Sequence, residues 1–394
     1  MFSDRVGHNL MRNRLTRAVE AMRAAHQPYI DLTESNPTRA GFHYPSDLLQ
    51  PLAQARALVY EPSPLGILEA REAIAREYAR RDIRVAADRI VLTASTSEAY
   101  SILFKLVAGA GDEVLVPKPS YPLFDHLTRL DLVEPKPYDL EYHGTWSIDF
   151  ASVERALSPR TRAVLVVSPN NPTGSFITDR ELERLASLAA DRGIAIIADE
   201  VFADYPLEPG AVDCAARAAC RTDALTFALG GLSKSVGLPQ VKLAWIAVGG
   251  ADRLTSDALD RLELICDTYL SVSTPVQLAA RALLDRGAAV RVQIASRVAA
   301  NYHYLKASTG STSACTVLRS EGGWYGVMQV PSIQSEEDLV LALLQTDGVL
   351  THPGYFFDFP RESFVIVSLL PPEPTFAEGI DRVLRHFACS VTRQ

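Results

Sequence analysis

No stretch of this 394-residue chain is apolar for the length a membrane span needs, so no membrane partner is expected. Positive charge is not in excess: 39 Lys and Arg stand against 47 Asp and Glu, a net charge of −8. That balance argues against a general nucleic-acid binder and suits solubility. Cysteine is scarce. The five, Cys214, Cys220, Cys266, Cys315 and Cys389, are scattered, odd in number and free of CxxC or Cys/His ligand spacing. A disulfide framework and a zinc site are therefore not expected, and reduced packing thiols point to a cytoplasmic protein. Residues 1–23 mix Arg5, Arg12, Arg14 and Arg17 with Asp4 and lack an apolar secretory core, so no signal peptide is expected. A transit peptide is the remaining alternative, although the segment is not serine-rich. There is no internal repeat, low-complexity tract or long linker.

What the chain has is ordinary globular composition, 47% apolar and 22% charged, and enough length for two domains. Short apolar runs at 90–92, 114–116, 163–167, 194–197, 225–228 and 244–248 alternate with helix-like stretches such as 97–107 and 179–192. Continuous rather than alternating runs predict strands covered on both faces of a mostly parallel sheet. After about residue 284 the pattern changes. A long helix (275–306), strands near 317–319, 324–330 and 364–369, and helices near 336–344 and 376–387 predict a smaller α+β domain. The expected division is a large domain over 46–284 and a small one built from 1–45 and 285–394.

Ligands of open parallel sheets bind beyond the carboxyl ends of the strands. Polar clusters fall at four such ends. Ser95, Thr96 and Ser97 follow 90–92 and open a helix, where hydroxyls and free N–H groups offer a phosphate site; simple N-capping is the alternative. Asn170-Asn171-Pro172-Thr173-Gly174 follows 163–167 and reads either as a turn or as a way to present Asn171 to a ring hydroxyl. Asp199 closes an apolar strand, where a carboxylate is costly without a partner; a pyridinium nitrogen would serve, and so would a cap or a buried ion pair. Lys234 lies in Gly230-Gly231-Leu232-Ser233-Lys234-Ser235, read as a small-residue turn after the apolar run 224–229. A lysine held there can form a Schiff base with an aldehyde if its amine stays available. Tyr121, in Pro119-Ser120-Tyr121-Pro122, either stacks on a flat ring or simply packs.

Together these residues resemble the fold-type I, pyridoxal 5'-phosphate (PLP) dependent, class I/II aminotransferases of the aspartate/alanine aminotransferase superfamily. The match includes Tyr60 with Pro64 and Gly66, the segment 68–75, Gly111-Asp112-Glu113-Val114, and Pro119-Ser120-Tyr121. It continues through Ser168-Pro169-Asn170-Asn171-Pro172-Thr173-Gly174, Asp199-Glu200 and Ser233-Lys234. It runs in order over nearly the whole chain. The resemblance implies a Schiff base on Lys234, which then shuttles a proton, with Asp199 on the pyridine nitrogen and Asn171 on the ring hydroxyl. Tyr121 would stack on the ring, and Thr96, Ser95, Ser97 and Ser233 would hold the phosphate. Tyr60 would reach the phosphate of a neighbouring subunit, which implies a homodimer with shared active sites. The activity implied is ping-pong transfer of an amino group from a small-molecule donor to a keto acid. A PLP lyase or decarboxylase on the same scaffold, or a non-catalytic PLP-binding homologue, is the alternative.

Departures from the family pattern bear on function. The usual tyrosine three residues after the aspartate is Phe202, with Tyr205 out of register for a simple swap. A phosphate-binding serine is replaced by Gly231, and the phosphate arginine by Lys242, which keeps the charge but loses the bidentate fork. The arginine that clamps the substrate carboxylate is replaced by Ile366. Arg319, Arg361 or Arg39 takes over, or the substrate lacks that carboxylate, or amino acids turn over poorly. Where members show Gly-x-Pro, this chain has Ser35-Asn36-Pro37, so Ser35 either narrows the space above the cofactor or bonds to substrate.

Overall fold

The computed structural model of the chain describes residues 3–6, 11–211, 217–310, 313–361 and 363–391, without the side chains of 389–391. Cys214 and the Cys389 side chain lie outside that description.

Strands β1 (Ile30–Asp31), β2 (Ile90–Thr93), β3 (Glu113–Lys118), β4 (Glu134–Tyr142), β5 (Trp146–Ile148), β6 (Thr161–Val167), β7 (Ala195–Asp199), β8 (Thr226–Gly231) and β9 (Ala244–Gly249) come first in the chain. They are followed by β10 (Thr316–Val317), β11 (Tyr325–Gln329), β12 (Val349–Leu350), β13 (His352–Pro353) and β14 (Phe364–Ser368). The main sheet has the order β2-β9-β8-β7-β6-β3-β4-β5. Its central strands are parallel, while β9 runs antiparallel to both β8 and β2 and β5 antiparallel to β4. Strands β2, β6, β7, β8 and β9 are buried along almost their whole length, the property that made them visible as continuous apolar runs.

Strand β4 escaped that reading because its sequence, EPKPYDLEY, contains two prolines and few apolar residues. Strand β5 pairs only with residues 140–142 of β4, so along 134–139 one side of β4 has no neighbouring strand. Pro135 and Pro137, two residues apart, lose no ladder bond if their missing N–H groups face that side.

Helices cover both faces. Helices α1 (Arg14–Ala24), α2 (Leu68–Ala79), α3 (Thr96–Val107), α4 (Phe124–Leu130), α5 (Phe150–Ala156) and α6 (Asp179–Arg192) precede a single helical turn, α7 (Leu232–Ser235). Then come α8 (Asp252–Tyr269), α9 (Thr274–Ser308), α10 (Glu336–Thr346) and α11 (Glu373–Val391). Alternate residues of one strand serve opposite faces: Ala163 and Leu165 join Leu103 of α3 and Leu262 of α8, whereas Val164 and Val166 join Leu182 and Leu185 of α6. The antiparallel sheet β10-β11-β14-β13 and the parallel pair β1–β12 form the second part. Helix α9, 35 residues long, belongs to a continuous apolar cluster that takes in both β9 and β14.

Candidate active site

The parallel strands β2, β6, β7 and β8 end on one edge of the main sheet, and the polar clusters predicted from sequence all lie just beyond that edge. Antiparallel β9 begins there too, since its Ala244 pairs with both Thr93 and Gly231. Lys242, two residues earlier, therefore stands between the start of α3 and the Lys234 turn, exposed and with a left-handed backbone (φ 61°).

Gly230 and Gly231 are not a turn, as the sequence led us to expect; they are the last residues of β8, and α7 starts directly after them. The glycines answer a close approach. A Cβ on Gly230 would lie 2.5 Å from the indole nitrogen of Trp245 on β9, and one on Gly231 would lie 3.1 Å from the Ala244 Cβ. A phosphate-binding serine at 231 would crowd its neighbouring strand.

Lys234 leaves α7 into an aromatic slot. Its Nζ lies 4.7 Å from the centre of the Trp324 ring and 5.4 Å from that of Phe202. Burial pulls the Lys234 ammonium down to about 8, against the opposing pull of the Asp199 charge. Near neutral pH a useful fraction of the amine is therefore unprotonated and nucleophilic.

Asp199, at the end of β7, is 9% exposed. Burial raises its carboxyl pKa, opposed by hydrogen bonds from the Val201 N–H (3.1 Å) and the Tyr100 hydroxyl (3.0 Å) and by Lys234. Sequence reasoning missed Tyr100. Its signal is a phenol four residues after Thr96 on the buried side of α3, where the hydroxyl needs a partner.

The two asparagines after β6 divide the work. Asn170 is structural: its Nδ2 donates to the Pro119 carbonyl (3.0 Å) and Thr173 Oγ1 (2.9 Å), and its Oδ1 accepts from Ser120 (3.1 Å). Asn171 is buried too, yet its Oδ1 has no partner, which leaves an amide with spare hydrogen-bonding capacity. At the start of α3, Ser95 does cap the helix, accepting from the Glu98 N–H (3.1 Å), while Glu98 accepts from the Ala94 N–H (2.6 Å). Thr96 and Ser97 occupy the first helical turn, where N–H groups have no intrahelical acceptor. Ser233 is half-buried within α7.

Tyr121 is 43% exposed and sets its ring edge-on to Phe124. Tyr60 is 70% exposed and lies beside the segment 270–274. Phe202 packs edge-on against Trp324. Tyr205 bonds instead to the backbone carbonyl of Lys234. Ser35 shares a hydrogen bond with Tyr325, whose hydroxyl burial pushes up to about 12. Ile366 is fully buried, paired across β14 with Val327 and His352, in a cluster with Phe357, Phe364 and Leu318.

An amine of lowered basicity, a buried carboxylate, a buried amide with an orphaned oxygen and an open helix start occupy one sheet edge. That donor set fits PLP: aldehyde, ring nitrogen, ring hydroxyl and phosphate each have a chemically matched group. Among the described residues no cluster of His, Cys, Asp and Glu is fit to hold a metal ion.

The family model "Aminotransferase class I and II" matches residues 28–382. An alanine aminotransferase of Mycobacterium tuberculosis is 27% identical over 368 residues, covering 90% of this chain and 84% of that protein. Human tyrosine aminotransferase is 26% identical over 344 residues, covering 84% of this chain and 74% of that protein. The solved structure of an alanine aminotransferase from Pyrococcus furiosus matches with a TM-score of 0.86 at 22% identity, over 95% of this chain and 96% of that one. The architecture is that of fold-type I, and the chain, an enzyme of amino-group transfer, belongs to the class I and II aminotransferases.

Proposed function

We propose that the chain transfers the amino group of an L-amino acid to a keto acid, with PLP held covalently by Lys234. The observation that carries the reading is the Lys234 amine, held between Trp324 and Phe202 and lowered to about 8 beside the buried Asp199. When bound, the cofactor supplies the electron sink that amino-group chemistry needs. The protein supplies the rest. Asp199, oriented by Tyr100, would keep the pyridine nitrogen protonated; Asn171 would bond the ring hydroxyl; Tyr121 would cover one face of the ring. Thr96, Ser97, Ser95, Ser233 and Lys242 would hold the phosphate, and Lys234 is the base that would move the proton on the substrate carbon.

The relatives named for alanine and tyrosine point to a donor with an apolar or aromatic side chain. Ile366 stands where the resemblance expects the carboxylate clamp, and Arg319, Arg361 and Arg39 are the candidate replacements. Arg319 is committed to Glu208 at 2.6 Å and stands 3.8 Å from Glu321. Arg361 lies over the Phe364 ring, on a cavity of about 700 Å³ that also takes in Lys118 and Trp146. Arg39, exposed four residues after Ser35, makes no ion pair among the described residues and is the cation we assign to the carboxylate.

The exposed run Leu58 (90%), Val59 (55%) and Tyr60 (70%) supports a homodimer that brings Tyr60 to the partner's phosphate. The unpaired thiols of Cys220, Cys266 and Cys315 support a cytoplasmic location. A working division into a large domain over 46–284 and a small one over the remainder accompanies this reading.

The test is the absorbance spectrum of the loaded enzyme as L-alanine, L-tyrosine and carboxylate-free amines are added singly. Loss of the visible band with an L-amino acid, and keto acid in the product, is the expected result. A band that ignores amino acids and responds only to the simple amines would overturn it.

A further inference from the structure

Behind the Lys234 turn lies a second polar cluster that the proposed chemistry does not use. Helix α7 is four residues long, too short to satisfy its own terminal carbonyls. The carbonyls of Lys234 and Ser235 are capped from outside. Tyr205 Oη donates to the Lys234 carbonyl and, at 3.4 Å, reaches that of Ser235. Arg291 Nε donates to the Ser235 carbonyl at 2.7 Å. The only backbone donor to the Lys234 carbonyl among the described residues is the Gly237 N–H at 3.4 Å, a weak bond.

Arg291 is itself held. Its Nη2 bonds Glu77 at 2.6 Å and its Nε lies 3.7 Å from Asp204, while Arg80 bonds both Glu77 and Asp204. Two cations and two anions alternate in one closed set. The Arg291, Glu77 and Asp204 side chains are 9%, 13% and 8% exposed. The members come from the C-terminal end of α2, from α9 and from the turn that follows Asp199 and also carries Phe202. Buried ion pairs seldom add net stability over apolar packing; what a well-bonded set does supply is fixed geometry.

We infer that Tyr205 and Arg291 are positioning residues for Lys234: they clamp the backbone of its turn to α2, α9 and the β7 turn, and so set where the amine emerges between Phe202 and Trp324. This rests on the reading of Lys234 as the cofactor-binding lysine. Tyr205 and Arg291 are themselves buried. Both act through the two carbonyls, and a lysine that must reach, release and then deprotonate its target is sensitive to small displacements.

The experiment compares the loaded wild type with Tyr205→Phe, Arg291→Lys and Arg291→Met. Tyr205→Phe removes one hydroxyl and keeps the ring, which packs 5.2 Å from Trp324, so it retains the fold. Visible circular dichroism of the bound cofactor and separate kcat and KM values are the readouts. All three variants are expected to form the visible band. Tyr205→Phe should change the sign or size of the visible dichroism and lower kcat roughly tenfold, with KM within about twofold. Arg291→Met should lose roughly 100-fold in kcat, and Arg291→Lys, which keeps the charge on Glu77 but lacks the planar fork, should recover part of that. Wild-type dichroism and kcat in Tyr205→Phe and Arg291→Lys would overturn the inference and leave the proposed function standing. So would an Arg291→Met variant that loses thermal stability while its kcat per loaded site is unchanged. A wild type that forms no visible band would overturn both.

Discussion

Two polar clusters flank the Lys234 turn, and their buried members meet the cost of burying charge in opposite ways. Behind the turn, Glu77, Arg80, Asp204 and Arg291 pair with one another, and Arg291 also bonds the Ser235 carbonyl. In front of it, Lys234 and Asp199 are both displaced from their ordinary ionisation by burial, and the Asn171 oxygen has no partner. A satisfied cluster is complete in the folded chain and serves geometry. An unsatisfied one holds free energy that only a further group releases, which is why ionisation shifts concentrate at functional sites.

Substitutions in the front cluster sharpen the contrast. The largest effect is expected from Lys234→Ala: no visible band on addition of PLP, and a fall in kcat on the order of 10⁴-fold in steady-state kinetics. A variant that keeps a tenth of the wild-type rate would place the chemistry elsewhere. Asp199→Ala, which removes the buried carboxylate proposed to face the ring nitrogen, should cost about 10²- to 10³-fold in kcat and weaken PLP binding measured by equilibrium dialysis.

The same side chains should weaken the cofactor-free fold. The folded-state pKa of Lys234, about 8, lies below its ordinary 10.5. Below pH 8 the unfolded chain carries the proton more readily, so the group destabilises the native state by at most about 3 kcal/mol. That penalty fades as pH rises from 8 to 10.5. Lys234→Met should therefore raise the urea midpoint of the cofactor-free protein at pH 7, with the gain shrinking toward pH 10.5. A gain that is constant with pH would contradict the assignment. The smallest effect is expected from Tyr100→Phe. Asp199 loses one of its two hydrogen-bond donors, its carboxyl pKa rises further, and kcat falls about five- to tenfold. Stopped-flow measurement of the half-reaction checks this, and an unchanged rate would make the phenol a packing residue only.

The front cluster was largely legible in the sequence because each member closes a continuous apolar strand, a pattern that survives without knowledge of tertiary contacts. Lys234, Asp199, Asn171 and the Ser95-Thr96-Ser97 helix start were found that way. Their partners were not. Tyr100 sits in an apolar helix face, and Glu77 and Arg291 lie more than 200 residues apart on helices whose charges look like solvated surface until the chain is folded. Gly230-Gly231 reads as a turn because glycine pairs usually punctuate structure; here the indole of Trp245, on the next strand, takes the space a side chain would occupy. Strand β4 was hidden by prolines that only a strand with one unpaired side tolerates.

The most direct test of the account is borohydride reduction of the PLP-loaded enzyme followed by peptide mass mapping. The expected result is a reduced pyridoxyl adduct on Lys234, stoichiometric with loss of the visible band. An adduct on another lysine, or none while PLP remains bound, would contradict the assignment of the front cluster as the cofactor site.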